Sequence, residues 1–98
     1  MKIYENAQFS KKAVGDNYRA FPYYLEFSYW RNFDSVKRIS FPRIVKVLNG
    51  KPIYKAVPRD HVKEWLAEHN AKFVHTRRRI RLYMHDESLA VMFKLYFC

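Results

Sequence analysis

The architecture turns on the final stretch, Lys72-Phe73-Val74-His75-Thr76-Arg77-Arg78-Arg79-Ile80-Arg81-Leu82-Tyr83-Met84-His85-Asp86-Glu87-Ser88-Leu89-Ala90-Val91-Met92-Phe93-Lys94-Leu95-Tyr96-Phe97-Cys98. It reads as a long β-hairpin that turns at Asp86-Glu87. With Met84 facing Leu89 across that turn, Leu82 faces Val91, Ile80 faces Phe93 and Thr76 faces Phe97. Successive side chains alternate between the faces of a strand, so this side is apolar apart from Arg78, opposite Leu95. The other side carries Arg77, Arg79, Arg81 and Tyr83, opposite Tyr96, Lys94, Met92 and Ala90. A one-residue slip would mix the two sets.

Upstream of it, Pro58 suits the first turn of a helix and Asp60 the positive end of its dipole, which predicts a helix over about 59–70 that stops near Asn70. Val62, Trp65, Leu66 and His69 fall at i, i+3, i+4 and i+7, one helical face, while Asp60, Glu64 and Glu68 form a charged stripe. Arg43 to Val57 reads as a second hairpin around Asn49-Gly50, with its return strand starting at or after Pro52. Asn32 to Ser40 predicts a short helix capped by Asn32 or Asp34 and stopped by Pro42. Tyr23 to Trp30 alternates Tyr23, Leu25, Phe27 and Tyr29 against Glu26 and Ser28, the pattern of a strand. Residues 1–21 are poorly patterned, with a turn at Gly15-Asp16-Asn17. The expected fold is therefore a single α+β domain over 1–98: a small antiparallel sheet of about four to five strands, with one main helix (about 59–70) packed on its apolar face.

Composition agrees with one small globular domain. The chain has 98 residues, 49 % of them hydrophobic and 18 % aromatic, too many for intrinsic disorder. A chain of this size buries only about 60–70 % of the surface its unfolded form exposes, so one modest core is expected. Multi-domain enzymes, coiled coils and collagen-like fibres are excluded. The single cysteine, Cys98, cannot form an internal disulfide. Met1-Lys2-Ile3-Tyr4-Glu5-Asn6 lacks the apolar core of a secretory signal, and no run approaches the ~18 apolar residues of a membrane span. The expectation is a cytoplasmic protein, or one packaged in a virion, with no membrane partner.

Lys and Arg number 19 against 9 acids, a net charge of +10, and the excess comes in blocks. Between Asp34 and Asp60 there is no acid, but Lys37, Arg38, Arg43, Lys46, Lys51, Lys55 and Arg59 are there. Between Glu68 and Asp86 stand only Lys72, Arg77, Arg78, Arg79 and Arg81. Such asymmetry is the footprint of an anionic partner. On the hairpin reading, Arg77, Arg79, Arg81 and Lys94 would contact phosphates, and Tyr83 and Tyr96 would stack on unpaired bases. Lys46, Lys51 and Lys55 would supply a second basic edge. Residues two apart on a strand face lie about 6.6–6.8 Å apart, close to the phosphate spacing of an extended single strand. Two other readings stand beside this one. A basic strand face can simply be a solvated, aggregation-resistant surface. It can also fit an acidic protein partner, because Arg and Tyr are enriched at binding hot spots.

Catalytic patterns are missing. His61 and His69 are eight apart, about two helical turns, too far to hold one small ion, and no histidine stands i, i+4 from another. There is no Walker loop, no Gly-x-Gly-x-x-Gly and no Gly-x-Ser-x-Gly. Carboxylates for a metal-dependent nuclease are scarce, although Glu64 and Glu68 share a helix face. Trp30 and Trp65 read as core residues. The expectation is a binding protein with no enzymatic activity, no metal and no cofactor.

Asp86-Glu87 at a turn, followed by Ala90-Val91-Met92-Phe93-Lys94-Leu95 and a terminal aromatic, resembles the ending of many small, functionally uncharacterised proteins of tailed bacteriophages, and Trp65 shortly before a strand fits the same pattern. The resemblance covers about a third of the chain and brings no catalytic residues. It implies a phage product acting in the bacterial host cytoplasm or carried in the particle, such as a host-takeover factor, an anti-defence inhibitor or a minor virion component. The expected partner is nucleic acid, DNA or RNA. The alternative is an acidic host or virion protein. An exposed aromatic edge strand at the C-terminus would also let two copies pair as a homodimer.

Overall fold

The alternation at residues 23–28 is a strand in the computed structural model, which describes residues 2–76 and 79–98. In chain order the elements are β1 (Ile3–Glu5), a loop ending in a 3₁₀ turn (Tyr18–Ala20), β2 (Tyr23–Ser28), α1 (Phe33–Ile39), β3 (Ser40–Leu48), β4 (Lys51–Pro58), α2 (Asp60–Glu68), β5 (Lys72–Thr76), β6 (Arg79–Met84) and α3 (Glu87–Phe97). Strands β1, β2, β6 and β5 form one antiparallel sheet in that order, and β3 and β4 form a separate two-stranded ribbon. The class is α+β. Among the described residues no helix is long and apolar enough to cross a membrane.

The alternation works as expected within the sheet. Leu25 and Phe27 of β2 pair with Leu82 and Ile80 of β6, and all four are fully buried. Their neighbours Tyr24, Glu26 and Ser28 face the other way, beside Tyr83, Arg81 and Arg79. Helices cover only the first of these faces. Val36 and Ile39 of α1, Val62, Trp65 and Leu66 of α2, and Ala90 and Phe93 of α3 join one core with the sheet residues. Phe93 sits at its centre, with its ring 6.2 Å from Phe27, 5.3 Å from Trp65 and 4.8 Å from Phe97.

The long hairpin at 72–98 is corrected. Residues 72–76 already pair antiparallel with 79–83, Thr76 opposite Arg79, and residues 87–97 are helical. None of the expected pairings of 80–84 with 89–93 exists. Almost every residue from 89 to 97 is apolar, so periods of 2 and of 3.6 both find apolar positions there. Leu89, Ala90, Phe93 and Phe97, at i, i+1, i+4 and i+8, form the stripe that packs on the core. Val91 and Leu95, placed inward by a strand reading, are 45 % and 79 % exposed. Leu, Ala, Met and Lys favour helix, and Asp86-Glu87 brings negative charge to its N-terminal end rather than making a turn. Ala90 to Leu95, which carries the phage resemblance, is therefore helical.

Smaller boundaries shift as well. Pro42 does not stop α1 but lies inside β3, opposite Ala56, and the helix ends as the Ser40 amide donates to the Val36 carbonyl. Pro58 closes β4 instead of opening α2, whose first residue is Asp60. The 43–57 hairpin forms around Asn49 (φ 52°) and Gly50 (φ 75°), the two positive φ angles of a tight primed turn. It is not part of the main sheet. Apart from Ser40, every residue of β3 is exposed, so the ribbon stands clear of the body. It is tied down at its base, where the Ser40 Oγ donates to the Val36 carbonyl at 3.2 Å and the Ala56 amide donates to His75 Nδ1 at 3.2 Å.

Candidate nucleic-acid interface

Paired residues in a ribbon share a face, so the register of β3 and β4 assigns every side chain. Arg43 lies opposite Lys55, Lys46 opposite Ile53, and Leu48 opposite Lys51. Lys51, Ile53 and Lys55 alternate along β4 and share one side. Arg43, Lys46, Lys51 and Lys55 therefore project from a single ribbon face, and all are exposed. The other face carries Pro42, Ile44, Val47, Pro52, Tyr54 and Ala56. The division depends on one irregularity. The register shifts between Ile44 and Lys46, leaving Val45 as the extra residue of a β-bulge. An unbroken ladder from the Asn49-Gly50 turn would pair Ile44 with Lys55 and Arg43 with Ala56. The bulge exchanges the two residues, sending Ile44 to the apolar face and Arg43 to the basic one.

Lys46, Lys51 and Lys55 were candidates from the sequence, and the ribbon brings them together. Arg43 was counted in the basic block but not as a site residue. No local signal marks it, because its face depends on a bulge.

A second basic surface lies on the helix-free face of the sheet. Arg79 and Arg81 are there, each hydrogen-bonded to Glu26 Oε1, at 3.4 and 3.3 Å. The Arg81 guanidinium lies 4.6 Å from the centre of the Tyr24 ring and donates to Tyr83 Oη at 3.3 Å. That hydrogen bond is the main reason its pKa is raised above the ordinary arginine value. Tyr24 stacks on Tyr4, centroids 5.3 Å apart and planes within 12°. At one end this face is covered. The Asn6 amide group donates to the Tyr18 and Phe21 carbonyls at 3.1 and 2.9 Å, which folds the 6–20 loop so that Tyr18 and Phe21 lie against Tyr83.

Of the remaining sequence candidates, none that the structure describes adds to the exposed part of this face. Tyr83 is only 4 % exposed under that loop. Lys94 and Tyr96 belong to α3, in the helix layer on the opposite side of the sheet, because the hairpin that aligned them with Arg79 and Arg81 does not form. Arg77 and Arg78 lie outside the described residues. Trp65 is a core residue, but Trp30 is 78 % exposed in the turn after β2, where it borders a cleft with Tyr4 and Arg79. The alternation of 23–30 pointed Trp30 away from Leu25 and Phe27, which was the available hint. Among the described residues no three His, Cys, Asp or Glu side chains gather as a metal site would require. Comparison with protein-family models, curated proteins and solved structures finds no match.

Proposed function

We propose that the protein is a non-enzymatic nucleic-acid-binding module whose principal contact is the β3–β4 ribbon. The observation that supports this reading is the gathering of Arg43, Lys46, Lys51 and Lys55 on one exposed face, in a stretch with no acid from residue 35 to 59. A two-stranded ribbon is one of the elements that a major groove about 12 Å wide admits. Lys51 and Lys55, four residues apart, are separated by about 13 Å, enough to reach phosphates on both sides of such a groove. Arg and Lys in this arrangement would neutralise phosphates and release counter-ions without reading sequence.

The test is a salt titration of binding to fluorescent duplex and single-stranded oligonucleotides. The slope of log affinity against log salt is about −0.9 per duplex phosphate contact, so the ribbon predicts about −3 to −4. Lys46→Glu with Lys51→Glu should cut the slope by about 2 and leave thermal stability unchanged, since both side chains are solvated. Unaltered duplex affinity in this variant would remove the ribbon from the interface.

The apolar face behind these cations, with Ile44, Val47 and Tyr54 at 54–65 % exposure, supports a second reading: docking on an acidic protein, of the host or of a virion if the phage resemblance holds. Absence of any nucleic-acid binding at low salt would favour it.

A further inference from the structure

Outside the ribbon, an exposed tryptophan meets two arginines at one place on the sheet. A cleft of about 470 Å³ opens at the uncovered end of the sheet face, lined by Tyr4, Trp30, Arg31 and Arg79 together with Glu26 and Ser28. We infer that this cleft holds one unstacked nucleotide of a single strand, its base against the Trp30 indole and its phosphate between Arg31 and Arg79. The inference rests on the nucleic-acid reading above and extends it from duplex phosphates to a base.

The strongest feature is Trp30. The core takes Trp65, Phe27 and Phe93, yet Trp30 remains 78 % exposed beside the cleft. Its turn is pinned rather than loose: the Ser28 amide donates to Asn32 Oδ1 at 3.1 Å, and the Asn32 amide returns to the Ser28 carbonyl at 2.9 Å. Trp30 and Arg31 are thus held on a closed loop that limits the ordering a ligand must impose. Tyr4, which also lines the cleft, is held in turn by stacking on Tyr24, whose other neighbours are Arg81 and Tyr83.

Charge and size point to the same ligand. Among the described residues Glu26 is the single carboxylate lining the cleft, and it already bridges Arg79 and Arg81. With Arg31 added, the surroundings keep a surplus of positive charge, and Arg79 is still 65 % exposed and able to meet a phosphate. The volume lies within the ~300–1,000 Å³ of small-ligand pockets, and a planar ring with an attached anion matches an indole flanked by guanidiniums. A base held in a duplex could not present its face to Trp30, so the cleft selects single strands.

The experiment uses the full chain with single-stranded oligothymidylate of eight nucleotides, read by anisotropy and by intrinsic tryptophan emission, with a duplex run in parallel. Wild-type protein should show quenched emission on binding the single strand. Trp30→Ala should lose the quench and bind the single strand about tenfold more weakly, as loss of one base–aromatic stack implies, with duplex affinity unchanged. Arg31→Ala should weaken single-strand binding while keeping the quench at saturation. Both side chains are solvent-facing, and an unchanged thermal midpoint shows that each variant is folded. Single-strand binding without quenching, or wild-type affinity in Trp30→Ala, overturns the cleft and leaves the ribbon standing if the duplex still binds. Loss of quench in Trp30→Ala together with full duplex affinity in Lys46→Glu/Lys51→Glu supports the cleft and overturns the ribbon. No binding to either oligonucleotide overturns both.

Discussion

Glu26 stands directly opposite Arg81 in the β2–β6 register, and its Oε1 accepts from Arg81 Nε at 3.3 Å while also accepting from Arg79 Nη1 at 3.4 Å. One carboxylate thus restrains two guanidiniums on the open sheet face. The Glu26 side chain is 18 % exposed, the arginines 34 % and 65 %. Such partly solvated pairs contribute only about 0–1 kcal/mol to stability.

Glu26→Gln therefore acts on binding more than on folding. It should raise affinity for oligonucleotides several-fold at low salt and steepen the salt slope by about one contact, while the thermal midpoint moves little. Anisotropy titrations at several salt concentrations, with melting curves alongside, check both parts. Weaker binding would show instead that the carboxylate itself meets the ligand.

Exchange of the two residues beside the bulge, Arg43→Ile with Ile44→Arg, tests the ribbon without changing its charge. It puts the guanidinium on the apolar face opposite Tyr54 and an apolar side chain opposite Lys55. Duplex affinity should fall, with the salt slope smaller by about one, although the net charge is still +10. Unchanged binding would mean that total charge matters and its arrangement does not.

The helical state of residues 87–97 gives opposite signs at neighbouring positions. Phe93→Ala removes a fully buried ring at the centre of the core and should cost about 3–5 kcal/mol. Val91→Ala, at a position 45 % exposed on the same helix, should be neutral or stabilising by up to about 0.7 kcal/mol through helix propensity. In a strand, the same loss of a β-branched side chain would destabilise. Urea denaturation of both variants separates the two cases.

Burial raises the pKa of the Tyr29 phenol, whose ring meets His75 edge-on at 5.7 Å. The folded chain then holds this proton more tightly than the unfolded chain, whose tyrosines titrate near about 10. The associated stability is present below that pH and is lost as pH rises through the higher folded-state value. Denaturation midpoints measured at increasing pH above about 9 should fall, and Tyr29→Phe should lessen the fall.

What the residues revealed on their own follows a physical division. Elements with a chemical stop at each end were legible: Asn49-Gly50 demands a tight turn, and α2 has Asp60 at its first turn and Asn70, at φ 51°, just beyond its end. Strand β2 was legible because Glu26 and Ser28 interrupt its apolar side chains at every second residue. Residues 89–97 have no such interruption, so periodicity could not choose between helix and strand, and the choice fell to packing against Phe27 and Trp65. The site was legible where it followed local order, as with Lys51 and Lys55. It was hidden where it depended on a bulge, as for Arg43, or on a turn geometry, as for Trp30.

The ribbon's attachment has a consequence for how the molecule opens. Two strands bonded mainly to each other cannot share the cooperativity of the body, since an isolated hairpin is only marginally stable in water. Residues 43–55 should thus form a separate opening unit, whose amide protons exchange with solvent while those of Leu25, Phe27, Ile80 and Leu82 are still protected. A partner that fastens the ribbon would slow its exchange without touching the core, and the difference would map where that partner sits.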